Sequence, residues 1–251
     1  MSAPERQYGS TTLLHPPARR SPLRRWLRVT LTALAIVLLV PYALVPLYRV
    51  VDPVSTVMLW RMATGQRVEA TTVPLSAVAP VLPRTVIVAE DGRFCWHHGV
   101  DFRELRAVIA EADDFDDMRG GSTLTQQVAK NLFLWPGRSL VRKLVEFPLA
   151  LWIDLVLSKQ RIMEIYLNIA EWGPDGEFGI AAGARRAFRK PASRLTAYEA
   201  ALLAAMLPNP VRRSAGVPGP GLRRLAGIYV RRAARAPESD DCLRAGSVLG
   251  R

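Results

Sequence analysis

Lysine is scarce in this 251-residue chain: Lys130, Lys143, Lys159 and Lys190 are the only four among 34 basic residues, so arginine carries almost all of the formal net charge of +12. Such an excess suits a phosphate-bearing substrate or an anionic membrane surface, and an arginine-rich coding bias would give the same total. Nucleic acid is not the reading, because neither a zinc-finger pattern nor an aromatic-interleaved basic repeat occurs. Cysteine is scarcer still. Cys95 and Cys242 stand far apart, outside any CxxC or metal-ligand spacing, which argues against a structural zinc site or a dithiol redox centre. Cys242 lies in a polar stretch that reads as a mobile tail, so two free thiols are expected. Strand-like alternation is also rare and no internal repeat is found, which leaves a mainly α domain.

One long hydrophobic run is present. Val29 to Tyr48 contains no charged residue, and twenty residues at helical rise cover about 30 Å of hydrocarbon. Arg19, Arg20, Arg24, Arg25 and Arg28 crowd its N-terminal side. The positive-inside rule therefore keeps the N-terminus in the cytoplasm and sends the rest of the chain outward. No small-residue cleavage site follows closely, so the segment reads as an uncleaved single-pass anchor whose outer end is blurred by Pro41 and Pro46.

The organisation that follows is a basic cytoplasmic tail over 1–28, a transmembrane anchor over 29–48 and a membrane-proximal connector over 49–83. One folded domain spans 84–235, and a mobile C-terminal tail spans 236–251. Apolar residues make up 49% of the chain, enough for one sizeable core beside the anchor. Within the domain, Thr123 with Gln126 and Thr196 with Glu199 form capping-box patterns, and Ser158 is placed to cap a helix running through Asn168. The helix expected after Thr123 puts Gln127, Lys130 and Asn131 on one polar edge. The acidic run from Glu111 to Asp117 reads as a solvated loop.

Chemistry-bearing residues cluster in four segments. Glu90-Asp91-Gly92-Arg93-Phe94-Cys95-Trp96-His97-His98-Gly99-Val100-Asp101 fits EDxxFxxHxGxD, and Gly121 to Asn131 fits GSTxTQQxxKN. Arg142-Lys143-Leu144-Val145-Glu146 fits RKxxE, and Lys159 to Asn168 fits KxxIxExYLN. In this order the motifs resemble those of the peptidoglycan glycosyltransferases, the domain shared by class A penicillin-binding proteins and the monofunctional biosynthetic transglycosylases. The similarity covers roughly residues 50 to 235, and neither SxxK nor KTG marks a transpeptidase domain.

The resemblance implies a lysozyme-like, mainly α fold and polymerisation of lipid II into β-1,4 glycan strands. In that reaction a sugar hydroxyl attacks an anomeric carbon linked to polyprenyl pyrophosphate, with inversion. It needs a general base, which Glu90 matches, and cationic groups to stabilise the leaving pyrophosphate; Glu146 matches the family's second glutamate, which assists at the donor side near the leaving group. By position Ser122, Gln127, Lys130, Asn131, Arg138, Arg142 and Lys143 match the substrate-binding residues. Arginine forks and lysine point charges suit a diphosphate, and the capped helix start at Ser122-Thr123 offers backbone N–H groups to an anion. A divalent cation, Mg or Mn, is expected to arrive with the pyrophosphate; no organic cofactor and no resident metal site is expected. The implied partners are lipid II, the growing glycan strand, membrane lipids and proteins of wall synthesis or division. The implied place is the bacterial inner membrane, with the catalytic domain on the periplasmic side.

Other residues read as structural. His97 and His98 lack a third ligand at zinc spacing. Phe94, Trp96, Phe133 and Trp135 read as packing, Glu164 and Asn168 as a hydrogen-bonded pair one turn apart, and Arg185, Arg186, Arg189 and Lys190 as a basic edge. Two departures from the family pattern stand out. Asp154 replaces a frequent glutamate, and Pro148 falls two residues after Glu146, where it either opens a helix or kinks one. A lysozyme-like cleaving enzyme and a non-catalytic scaffold are the alternative readings.

Overall fold

A computed structural model describes residues 22–111, 121–135, 137 and 139–244. The chain divides into two units, one ending at Val40 and the other beginning at Pro41. The first is the bulk of helix α1 (Pro22–Leu44), and Leu23–Arg49 is the one stretch among the described residues long and apolar enough to cross a membrane, with mean hydropathy 2.2.

In the second unit the chain leaves α1 through a 3-10 turn, Val45–Arg49, that is part of the folded domain. Val45 is fully buried, Trp152 donates its indole N–H to the Tyr42 carbonyl at 3.0 Å, and Tyr48 stacks on Phe133 at 6.0 Å. The connector is likewise structured. Its helix α2 (Thr56–Ala63) is capped by Ser55 and packs on α5 (Leu124–Phe133), where the Thr56 hydroxyl reaches the carbonyls of Asn131 and Leu134. A two-residue parallel pair, β1 (Glu69–Ala70) with β2 (Glu177–Phe178), joins the connector to the far end of the domain.

Helix α9 (Ala197–Met206) forms the centre. It is apolar on every side, and Ala200 through Met206 are all buried, as a helix surrounded by others requires. Around it stand α3 (Val81–Glu90) and α10 (Pro220–Arg235), with α8 (Ile180–Phe188) also in contact. The second layer is α5 against α6 (Leu140–Val156) and α7 (Lys159–Ile169). A further helix, α4 (Phe102–Glu111), follows the first motif, and most of the acidic run expected to be a loop lies outside the described residues. All three expected caps form: Thr123 and Thr196 make reciprocal capping boxes, and Ser158 accepts from the Arg161 N–H.

Three expectations need correction. Cys95 and Cys242 are joined in a disulfide with Cα atoms 5.4 Å apart, so they are not free thiols. The stretch from Ala236 to Arg244 is accordingly no loose tail: Ser239, Asp240 and Cys242 are buried, and Asp240 accepts from Arg84 of α3 at 3.1 Å. Residues 245–251 lie outside the described residues. Glu164 and Asn168 do not bond each other; both hold the connector, Glu164 accepting from the Leu75 N–H and Asn168 clasping Val73 through both its N–H and carbonyl. Because α7 lies beside the connector, these side chains find backbone groups there that sequence spacing does not reveal.

Of the departures, Pro148 neither opens α6 nor ends it, for the helix begins at Leu140 and runs to Val156. Asp154 accepts from Lys159 at 2.6 Å, and Lys159 also donates to the His97 carbonyl at 2.7 Å, so its shorter reach is met by a buried lysine. The basic edge is partly paired, Arg186 with Asp175 and Glu177 and Lys190 with Glu199.

Candidate active site

The first motif turns the chain sharply at the end of α3 and hands it to α5. Asp91, the residue after Glu90, receives the Leu124 N–H and the His97 ring Nε2, both at 2.9 Å on Oδ2. It thereby locks the end of α3 to the start of α5. Gly99 adopts φ +75°, and a Cβ there would lie 2.5 Å from the Ala150 carbonyl oxygen, so only glycine lets this loop press against α6. The Gly99 carbonyl in turn accepts from the Thr123 hydroxyl at 2.6 Å. His97, occupied by Asp91, and Phe94, buried beneath Lys159 at 4.6 Å, are thus structural.

Glu90, at the C-terminus of α3, is half-buried, and its Oε2 accepts from Gln127 Nε2 at 3.1 Å. Burial pushes its carboxyl above the usual glutamate value. The Gln127 hydrogen bond and the charges of Lys130 and Arg213 pull back, and Asp91 adds to the rise. Among the described residues Glu90 makes no ion pair, so one oxygen remains free for a substrate hydroxyl.

Glu146 is the opposite case. It is buried on α6 and accepts from Arg142 Nη1 and Lys143 Nζ, each at 2.7 Å; Lys143 also donates to Ser122 Oγ at 3.1 Å. Lys130 of α5 is close enough to both carboxylates to feel their charge. Burial lowers its ammonium pKa, Glu146 and Glu90 raise it, and Arg142 and Lys143 lower it. Three cations around one carboxylate leave positive charge in excess, and Arg142 Nε is buried with no partner among the described residues. A buried guanidinium N–H left unpaired is costly unless an incoming anion satisfies it.

Asn131 lies on α5 beside Lys130 and lines a cavity of about 170 Å³ with Gln127, Lys130, Tyr166 and Glu171. Glu171 pairs there with Arg61 of the connector, and burial still raises its carboxyl. Six sequence-predicted residues thus fall into two hydrogen-bonded groups, Glu90 with Gln127 and Glu146 with Arg142, Lys143 and Ser122; Lys130 is close enough to both glutamates to feel their charge, and Asn131 is its neighbour on α5. Arg138 lies outside the described residues.

Sequence reasoning assigned no role to Tyr166, Arg213, Tyr229 or the Arg61–Glu171 pair. Tyr166 and Glu171 stand in segments that share the family resemblance; Arg61, Arg213 and Tyr229 carry no local signal, since folding alone brings Arg213 and Tyr229 near Glu90 and Arg61 onto Glu171.

A family model described as transglycosylase matches residues 57–223 of this chain. The chain belongs to that family. The match starts inside the connector, in agreement with its packing on α5. Three members named biosynthetic peptidoglycan transglycosylase show how close the likeness runs. A protein from Nitrobacter hamburgensis is 60% identical over 222 residues, covering 88% of this chain and 98% of its own length. One from Rhodopseudomonas palustris is 57% identical, covering 91% and 97%, and one from Rhizobium johnstonii is 49% identical, covering 96% and 98%.

Proposed function

We propose that this transglycosylase is a peptidoglycan glycosyltransferase that polymerises lipid II into β-1,4 glycan strands. The observation that carries the reading is the contrast between two carboxylates, Glu90 held only by the Gln127 amide and Glu146 buried between Arg142 and Lys143, with Lys130 close enough to feel both. A hydroxyl of the acceptor sugar gives its proton to Glu90 as its oxygen bonds to the anomeric carbon of the donor strand. The α bond to pyrophosphate breaks, configuration inverts, and the leaving group departs with the bonding electrons toward Lys130, Arg142 and Lys143. Burial favours this division: a carboxyl raised toward neutrality is a better proton acceptor at working pH, and charge-assisted contacts strengthen in a partly dry cleft.

Ser122 holds Lys143, Gln127 holds Glu90, and Asn131 completes the wall. Glu146 keeps Arg142 and Lys143 oriented. A divalent cation, Mg or Mn, belongs to the substrate complex here. Among the described residues no cluster of three ligating side chains occurs, and both Glu146 oxygens are engaged, so phosphate oxygens would hold the ion and it would offset their charge.

Membrane lipids are the second partner. Leu140, Val141, Leu144, Leu151 and Leu155 make an exposed apolar stripe on α6, which packs on the 3-10 turn that carries the exposed Leu47 and leads to the exposed Val50 and Val51. Arg49 donates to the Val156 carbonyl, joining the two patches at one edge. This reading seats α6 on the outer face of the inner membrane, with the catalytic domain on the periplasmic side and the cleft at headgroup depth, where a polyprenyl pyrophosphate presents itself. Leu144→Glu with Leu155→Glu is expected to lower polymerisation of liposome-embedded lipid II about tenfold, equivalent to roughly 1.4 kcal/mol of lost surface attraction. The same variant in detergent should stay within about threefold of wild type; equal losses in both media would refute the seating.

The function itself is tested with purified full-length protein in detergent with a divalent cation. Long glycans should form from lipid II while finished peptidoglycan stays intact. Fragments released from peptidoglycan without polymer would establish a lysozyme-like cleaver, and neither product would leave a scaffold.

A further inference from the structure

We propose that Tyr166 is a positioning residue that sets the amide orientation of Gln127 and, through it, keeps Glu90 ready to accept a proton; this rests on the reading of Glu90 as the base. The phenol sits on α7, 1% exposed, with its oxygen 3.2 Å from Gln127 Oε1, while Gln127 Nε2 lies 3.1 Å from Glu90 Oε2. Three residues from three helices thus form one directional chain. Burial, with added pushes from Glu90 and Asp91, holds the hydroxyl pKa well above its ordinary value, so the phenol keeps its proton. It must donate that proton, and among the described residues Gln127 Oε1 is the acceptor it has.

The consequence follows from the two faces of an amide. With Oε1 committed to Tyr166, the NH₂ must face Glu90, where it stabilises the carboxylate over the acid. The rotated amide would set Oε1 against Glu90, favouring the protonated carboxyl, and would strand the buried phenol proton. Without the hydroxyl the second orientation becomes accessible, and Glu90 is expected to hold its proton to higher pH. Other charged or titratable groups around Glu90 are Lys130 from α5, Arg213 from the α9–α10 connection, Tyr229 from α10 and the adjacent Asp91. A change at Tyr166 leaves all four in place.

The test is the pH profile of polymerisation under limiting lipid II for full-length wild type, Tyr166→Phe, Gln127→Ala and the double variant. Tyr166→Phe should move the acid limb upward by about one pH unit, with the high-pH plateau held within about threefold. In the Gln127→Ala background it should move the limb no further, because the tyrosine acts through the amide. A uniform loss of rate at every pH with the limb unmoved, or an equal further shift in the Gln127→Ala background, would overturn the proposal. Should Tyr166→Phe not fold, 3-fluorotyrosine at position 166 keeps the packing and strengthens the donor; the limb should then move downward, and an unmoved limb refutes the role. Glu90→Gln separates this from the underlying reading. If that variant polymerises with the wild-type profile, Glu90 is not the base; if it abolishes the limb while Tyr166→Phe leaves the limb in place, the relay alone fails.

Discussion

Glu90→Gln should lower polymerisation of lipid II by about 10²- to 10⁴-fold, the usual worth of a positioned general base, while leaving the fold intact. The replacement keeps shape and retains an acceptor for Gln127, and among the described residues no ion pair is broken. Its effect on stability should have the opposite sign. Burial raises the folded-state pKa of Glu90 above its unfolded value, so the native state binds the proton more tightly. Stability therefore falls as pH rises through the window just above the ordinary glutamate pKa, and at neutral pH the carboxylate is a net cost. Thermal unfolding at neutral pH should find Glu90→Gln at least as stable as wild type, and the difference should vanish below that window. A variant that melts well below wild type would mean that Glu90 holds the structure together instead.

Removing the disulfide should produce the largest loss of stability. Cys95 and Cys242 are 147 residues apart in sequence, and the chain-entropy account of closing so long a loop gives roughly 5 kcal/mol as an upper value. For a folded unit of this size, a loss of about 3–4 kcal/mol lowers the melting temperature by roughly 10 °C. The Cys95→Ser, Cys242→Ser double variant should match chemically reduced wild type. Activity should fail at correspondingly lower temperature, because Cys95 lies in the loop where Asp91 and His97 join α3 to α5. Identical melting of oxidised and reduced protein would show that the bond is not made. A disulfide also suits an extracytoplasmic domain, in accord with the outward orientation read from the arginines before α1.

These two expectations differ in how far the sequence foretold them. Glu90, Glu146 and the residues from Ser122 to Lys143 stood out through the resemblance of four ordered motifs to one family, since type and spacing alone do not separate Glu90-Asp91 from an exposed acidic pair. Capping boxes at Thr123 and Thr196 were legible because their partners lie three residues away. The disulfide was not, since its partners meet only after α3, α7 and the segment 236–244 have packed; polarity alone made Cys242 look mobile. Glu164 and Asn168 misled for the same reason, as their spacing pointed to each other while the connector's backbone lay closer. Tyr166 was visible as a letter in a motif, but its role depends on which atom of Gln127 it meets.

The proposed reaction divides its labour within one cleft, with the base at Glu90 and leaving-group recognition at Lys130, Arg142 and Lys143. Equilibrium binding of polyprenyl pyrophosphate to wild type, Glu90→Gln and Lys143→Met separates the two roles. Loss of one charge-assisted contact in Lys143→Met should weaken binding by about tenfold or more, whereas Glu90→Gln should bind within about twofold of wild type. Wild-type affinity in Lys143→Met, or an equal loss in Glu90→Gln, would contradict the account.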